Sequence, residues 1–255
     1  MTWFERGGSR IYFEQEGLGD AVLFLPGWSE TISEFASLRR ALATRYTVVA
    51  ADLPGSGKSE PQPREYPVSY YRDDAQSFAA LLEELGLAPA HVTGFSDGGE
   101  VALVMAVDSP SVVRSVSAWG AAGSLAAAPE MLDAFSVLID EPPEPMREFA
   151  EYLKHAYGEA NARAMTKSVV AAWRAIVEAG SDISRSAAGS IACPTLLITG
   201  ELDGFAPPGV VSELADAIPI GEFIEVKGAG HSLHEDHGEW LADIILKRLR
   251  SWGPG

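Results

Sequence analysis

Short apolar or alternating runs recur along the chain at residues 10–15, 21–25, 46–51, 91–95, 112–118, 195–199 and 222–226. Each has the length and the β-branched or aromatic character of a strand. Between most of them, apolar residues fall at helical spacing, at 33–43, 70–85, 100–107, 210–217 and 235–249. The first two runs read as a hairpin, and the later alternation reads as βαβ units. The pattern therefore predicts an α/β fold, a mostly parallel sheet with helices on both faces.

That alternation stops between Gly120 and Ser190. The segment is rich in alanine, opens with small residues over 120–128, carries Pro142-Pro143 and Pro145, and then offers helical patterns at 147–157 and 160–179. Because the strand signal resumes at Thr195, a helical insertion between two sheet strands is expected. The division is a core of 1–120 and 191–255 with an insertion of 121–190. A chain of 255 residues suits one large domain with such an inserted piece.

The candidate chemistry begins at Gly94-Phe95-Ser96-Asp97-Gly98. This is the G-x-S-x-G pattern, in which a serine sits on a sharp turn between a strand and a helix, and glycines let the backbones approach closely. The run 91–95 before it and the apolar helix pattern after it supply that context. A serine hydroxyl needs a base, a carboxylate to orient the base, and donors for a developing oxyanion. His231, in Gly228-Ala229-Gly230-His231, follows the strand-like run 222–226 and is the expected base. His234 and His237 have acidic neighbours and read as surface or capping residues, while His91 and His155 read as structural. Asp203 follows the run 195–199 and is the expected orienter, with Glu201 its competitor.

For the oxyanion, the amides of Asp97 and Trp28 are expected, Trp28 lying in Leu25-Pro26-Gly27-Trp28 after the second run. The Trp28 indole suits either a pocket wall or an ordinary core position. Asp97 likewise has two readings. Its carboxylate opposes an oxyanion unless a substrate cation neutralises it, yet an aspartate in a first helical turn is favourable in its own right.

Composition narrows the partners. A formal net charge of -17 repels phosphate backbones and anionic lipid surfaces. Neither nucleic acid nor membrane is expected, the charge favours neutral or cationic substrates, and the serine-centred chemistry makes a small-molecule ester the expected partner. No apolar run reaches the length of a membrane span. Met1-Thr2-Trp3-Phe4-Glu5-Arg6 lacks the basic and apolar regions of a signal peptide, and a cytoplasmic protein is expected. The single cysteine, Cys193, precludes an intramolecular disulfide and reads as a buried small hydrophobe. Gly55-Ser56-Gly57-Lys58-Ser59 imitates the end of a phosphate-binding loop but fails on count, since Asp52 stands where a glycine is required. No cofactor and no metal are expected.

As a set, these residues resemble the α/β-hydrolase superfamily. Asp52-Leu53-Pro54-Gly55-Ser56-Gly57-Lys58-Ser59 is similar to its D-x-x-G-x-G-x-S loop, and Ser96, Asp203, His231 follow its chain order. The resemblance implies the α/β-hydrolase fold, Ser96 as nucleophile, Asp203 as orienter, His231 as base, and a helical cap over the pocket. Gly94-Phe95-Ser96-Asp97-Gly98-Gly99 with Trp119-Gly120-Ala121 most resembles the valacyclovir hydrolase, or biphenyl-hydrolase-like, group. That implies α-amino-acid esters as substrates, with Asp97 at the amine; Trp28 and Trp119 are further candidates for contact with the substrate. Relatives with the same residues also hydrolyse carbon-carbon bonds, transfer acyl groups or make peracids, and a few members of the fold are slow-turnover receptors.

Overall fold

The apolar runs assemble into one eight-stranded sheet of order β1-β2-β4-β3-β5-β6-β7-β8. Its strands are β1 (Thr2–Arg6), β2 (Ser9–Glu16), β3 (Ala21–Leu25), β4 (Thr47–Ala51), β5 (Ala90–Phe95), β6 (Val113–Trp119), β7 (Thr195–Gly200) and β8 (Gly221–Val226). The computed structural model describes residues 2–125 and 129–253, so the end of the small-residue stretch, 126–128, and the tail at 254–255 lie outside the described residues. From β4 to β8 every neighbouring pair is parallel, and β2 runs antiparallel to both β1 and β4.

The expected hairpin of 10–15 with 21–25 does not form. All residues of β3 are buried, so it needs covered faces and neighbours on both sides, which it finds by lying parallel between β4 and β5. Residues 10–15 instead pair with a strand the sequence reading missed, β1, across the Gly7-Gly8 turn, where both residues have positive φ. β1 is mostly exposed and polar, so its pattern is too weak to read.

Two helical layers cover the sheet. On one face, α1 (Ala36–Ala43) and α9 (Gly238–Ser251) bring Leu38, Leu42, Leu241 and Ile245 against Val22 and Phe24. On the other lie α2 (Tyr70–Glu84), α3 (Asp97–Asp108) and α7 (Pro208–Ala217), packed on Leu23, Val92 and Val116. The expected helix at 235–249 is two elements, a short α8 (Leu233–Asp236) followed by α9. The break falls at His237-Gly238.

Between β6 and β7 the chain forms α4 (Pro129–Ser136), α5 (Arg147–Tyr157) and α6 (Glu159–Glu178). α5 and α6 lie where the sequence pattern predicts helices, and α4 falls in a stretch where it predicts none. These helices lie over the carboxyl edge of the sheet. The Tyr152 and Tyr157 hydroxyls donate to the Ser29 carbonyl at 2.9 and 2.6 Å, and Trp173 Nε1 donates to the Tyr70 hydroxyl at 2.8 Å. At the neck of the insertion, the amides of Ile183, Ser184 and Arg185 converge on the Gly123 carbonyl. Among the described residues no helix is long and apolar enough to cross a membrane.

Candidate active site

Parallel strands place their carboxyl ends at one edge, and that is where open α/β sheets present reactive groups. Register aligns Leu25 with Gly94 and Phe95 with Trp119, so the loops after β3, β5, β7 and β8 all open at this edge. Ser96 caps β5 with φ 50 and ψ -119, a conformation that a non-glycine residue adopts only when its surroundings enforce it. Two glycines do so. A Cβ on Gly94 would strike the Gly98 carbonyl, and one on Gly98 would strike the carbonyls of Leu25 and Pro26. The helix α3 therefore starts at Asp97, tight against the loop after β3, rather than at the expected Glu100.

His231 Nε2 lies 3.0 Å from Ser96 Oγ, and His231 Nδ1 lies 3.0 and 2.9 Å from the two carboxylate oxygens of Asp203. Asp203 is itself fixed, with Oδ1 accepting the amides of Phe205 and Ala206 at 2.9 and 3.0 Å. The imidazole is held between the rings of Phe95 and Phe205, at centroid distances of 4.8 and 4.7 Å. Such a chain can draw a proton from the hydroxyl and stabilise the imidazolium that results. Glu201, the competitor for Asp203, points away, accepting from the Gly228 amide and Lys227.

Among the described residues, neither the Trp28 nor the Asp97 amide donates to a protein acceptor. Both belong to the walls of a cavity of about 770 Å³ that opens over Ser96. A shallower depression of about 560 Å³ beside Trp3 and Lys58 has none of these groups. The Trp28 ring is a cavity wall, bonded through Nε1 to the Tyr66 hydroxyl at 3.1 Å and packed edge-on against Phe135, Phe149 and Trp173 of the overlying helices.

Asp97 neither caps its helix nor lies free. Its Oδ1 accepts the Tyr70 hydroxyl at 2.7 Å, and Tyr70 in turn accepts from Trp173. Burial pushes the Asp97 carboxyl above its ordinary range, against the hydrogen bonds of Tyr70 and Tyr71. One turn on, Glu100 is pushed up to about 8 by burial, although its Oε1 accepts the amides of Ala122 and Gly123 at 2.8 and 3.0 Å. Glu30, Glu34, Asp97, Glu100, Glu148 and Glu235 are all among the residues lining the cavity, and no lysine or arginine is among its described lining residues.

Two expectations fail. Trp119 does not reach the cavity: it is fully buried, stacked on Phe95 at 5.6 Å, because it ends a central strand whose side chain turns into the core beneath the elbow. His234 is not a surface residue, since its side chain is 9% exposed and sits against Phe35 and Phe95. The Asp52–Ser59 loop is structural, Asp52 accepting the amides of Ile32 and Lys58. Tyr70, Trp173, Glu30 and Glu100 were missed. Only Glu100, a charge directly behind the elbow glycines, left a local signal.

A family model described as the alpha/beta hydrolase family matches residues 22–244. The chain belongs to this family. This α/β hydrolase is 30% identical to a pimeloyl-[acyl-carrier protein] methyl ester esterase of Chromobacterium violaceum, across 94% of this chain and 98% of that protein. It is also 30% identical to the human serine hydrolase BPHL, across 78% of this chain and 69% of that one. Among solved structures, a thermophilic esterase from Thermogutta terrifontis superposes with a TM-score of 0.77 at 21% identity, covering 99% of this chain and 98% of the other. An enol-lactonase from Burkholderia xenovorans does so at 0.79 and 20%, covering 98% and 100%. At those identities the superpositions speak for the shared fold of the α/β hydrolase alone.

Proposed function

We propose that this α/β hydrolase is a serine-dependent carboxylic ester hydrolase that works through an acyl-enzyme. The observation that carries the reading is the His231 ring, 3.0 Å from Ser96 Oγ on one side and 2.9 Å from Asp203 on the other. Ser96 Oγ attacks the ester carbonyl while His231 Nε2 takes its proton, and the negative charge on the carbonyl oxygen is received by the amides of Trp28 and Asp97. His231 then protonates the leaving alkoxide as the carbon-oxygen bond breaks. Water repeats the sequence on the acyl-enzyme, releasing the acid and returning the proton to Ser96. The kinship with an esterase and with a serine hydrolase supports the same reading.

The helices 129–178 act as the cap that shapes the pocket. The substrates are esters carrying a cationic amine, with Asp97 as the anchoring carboxylate. The support is the lining itself, in which acidic residues such as Glu34, Glu148 and Glu235 favour cations and no lysine or arginine is among the described residues, and the position of Asp97 on that wall directly after Ser96. A desolvated ion pair of this kind gives a preference of about tenfold to a hundredfold.

The test is a panel of paired esters, each with and without an α-amino group, hydrolysed by wild type, Ser96→Ala and Asp97→Asn. Ser96→Ala is expected to lose turnover on every ester. Asp97→Asn is expected to lose the preference for amino esters while keeping its rate on their des-amino partners within a few-fold. Equal losses on both members of each pair would remove Asp97 from substrate recognition.

A further inference from the structure

An ionised carboxylate two residues beyond Trp28 ought to oppose negative charge arriving at the Trp28 amide. Glu30 stands there, on the wall of the same cavity and with a side chain 16% exposed. One of its oxygens is hydrogen-bonded and the other faces a histidine. Oε2 accepts the Gly27 amide at 2.9 Å, and Oε1 lies 3.5 Å from His234 Nε2. The Glu30 amide closes the same turn onto the Gly27 carbonyl at 3.3 Å.

His234 is placed for this contact by aromatic packing, with Phe35 and Phe95 at centroid distances of 4.4 and 4.6 Å. Phe95 immediately precedes Ser96 and also packs on His231. The next loop residue, Ser29, is held separately. Its amide donates to Ser56 Oγ at 3.0 Å, and its carbonyl receives the two cap tyrosines. The two peptide units beside Trp28 are thus held at the Gly27 carbonyl and the Ser29 amide, and the unit before them by the Glu30 carboxylate, while the Trp28 amide stays unengaged.

We propose that Glu30 is a positioning residue for ester hydrolysis: turned toward His234, its carboxylate pins the Gly27 amide and so aims the Trp28 amide at the oxyanion. The hydrogen bond from Gly27 supplies the aim, and the contact with His234 keeps the other oxygen turned to that side. This inference rests on the esterase reading above. It adds a residue that touches neither substrate nor reacting atoms.

The experiment compares wild type, Glu30→Ala, Glu30→Gln and His234→Phe on p-nitrophenyl acetate, with phenylboronic acid as a mimic of the tetrahedral state. Glu30→Ala is expected to lower kcat about tenfold to thirtyfold, a fraction of the effect of losing an oxyanion donor outright. The boronate inhibition constant should rise by the same factor while KM stays within about twofold, because only the tetrahedral state feels the aim. Glu30→Gln keeps an acceptor for Gly27 and should stay within about threefold of wild type. His234→Phe keeps the ring packing but removes the nitrogen, and should lower kcat about threefold to tenfold with a parallel boronate effect. Should Glu30→Ala fail to fold, the Gln and Phe variants still decide. An undiminished Glu30→Ala, a Glu30→Gln as impaired as Ala, a loss lying wholly in KM, or an unaffected His234→Phe would overturn the proposal. A wild type inactive on every ester, with Ser96 inert to a serine-reactive phosphonate, would instead overturn the esterase reading itself.

Discussion

The floor and the roof of the cavity are built by different means. On the floor, Ser96 is held in a left-handed conformation by backbone contacts at Gly94 and Gly98, and Asp203 is held by the amides of Phe205 and Ala206. The roof is held by side chains. Tyrosine hydroxyls of α5 reach the Ser29 carbonyl, the Trp173 indole reaches Tyr70, and the rings of Phe135, Phe149 and Trp173 meet Trp28 edge-on. A backbone frame tolerates almost no change in geometry, whereas side-chain contacts can be exchanged one at a time. On the proposed function the chemical step and the Asp97 anchor belong to the floor, and the roof shapes the pocket around the rest of the substrate.

The sharpest way to break that division is at the floor. On the proposed mechanism, Asp203→Asn keeps the shape beside His231 but removes the charge that would stabilise the imidazolium and fix its tautomer. The expected outcome is a fall in kcat of about a thousandfold to ten-thousandfold with KM little changed, measured by steady-state hydrolysis of an activated ester. A loss appearing mainly in KM would place Asp203 in substrate binding instead of the chemical step.

Glu100 sits where floor meets roof, and its effect is on stability. Burial pushes its carboxyl up to about 8, so the folded chain keeps a proton that the unfolded chain releases near its ordinary value of 4.5. With the folded value raised, this contribution is fully present below about 4.5 and is lost as pH rises toward 8. Glu100→Gln keeps an acceptor for the Ala122 and Gly123 amides and does not titrate. Urea unfolding should find the variant about as stable as wild type at pH 5 and about 4 kcal/mol more stable at pH 9. A difference independent of pH would contradict the assignment.

The smallest effect belongs to the roof. Trp173→Phe keeps an aromatic ring against Trp28 and Phe135 but removes the donor to Tyr70, loosening the link from α6 through Tyr70 to Asp97. KM for the preferred ester should rise about threefold to tenfold, the worth of one hydrogen bond, with kcat within twofold. A fall in kcat equal to the Asp203→Asn loss would erase the contrast between the two layers.

The same contrast decides how much the sequence made legible. Floor residues announce themselves because a backbone requirement leaves a local signature: glycines at fixed offsets around Ser96, an acid shortly after an apolar strand, a histidine after Gly230. Their chain order then follows from the topology. The sheet was legible wherever strands were buried on both faces, as in β3 and β7, and failed at the edge, where β1 reads as polar and its pairing with β2 replaced the expected hairpin. Roof and wall residues leave no such mark. Glu30, Glu148 and Glu235 meet at one cavity only after folding, and nothing near Tyr70 or Trp173 says that they touch. His234 misled because its sequence neighbours are acidic while its spatial neighbours, Phe35 and Phe95, are aromatic. Trp119 misled in the opposite way, since its place beside the elbow in sequence is a place beneath it in space.

The central claim, that Ser96 becomes acylated, is tested most directly by rapid mixing with a p-nitrophenyl ester followed by acid quench and intact-mass measurement. The expected result is a single acyl adduct, mapped by peptide analysis to Ser96, forming at least as fast as turnover and missing from Ser96→Ala together with activity. Turnover that survives Ser96→Ala, or an adduct on another side chain such as Cys193, would contradict it.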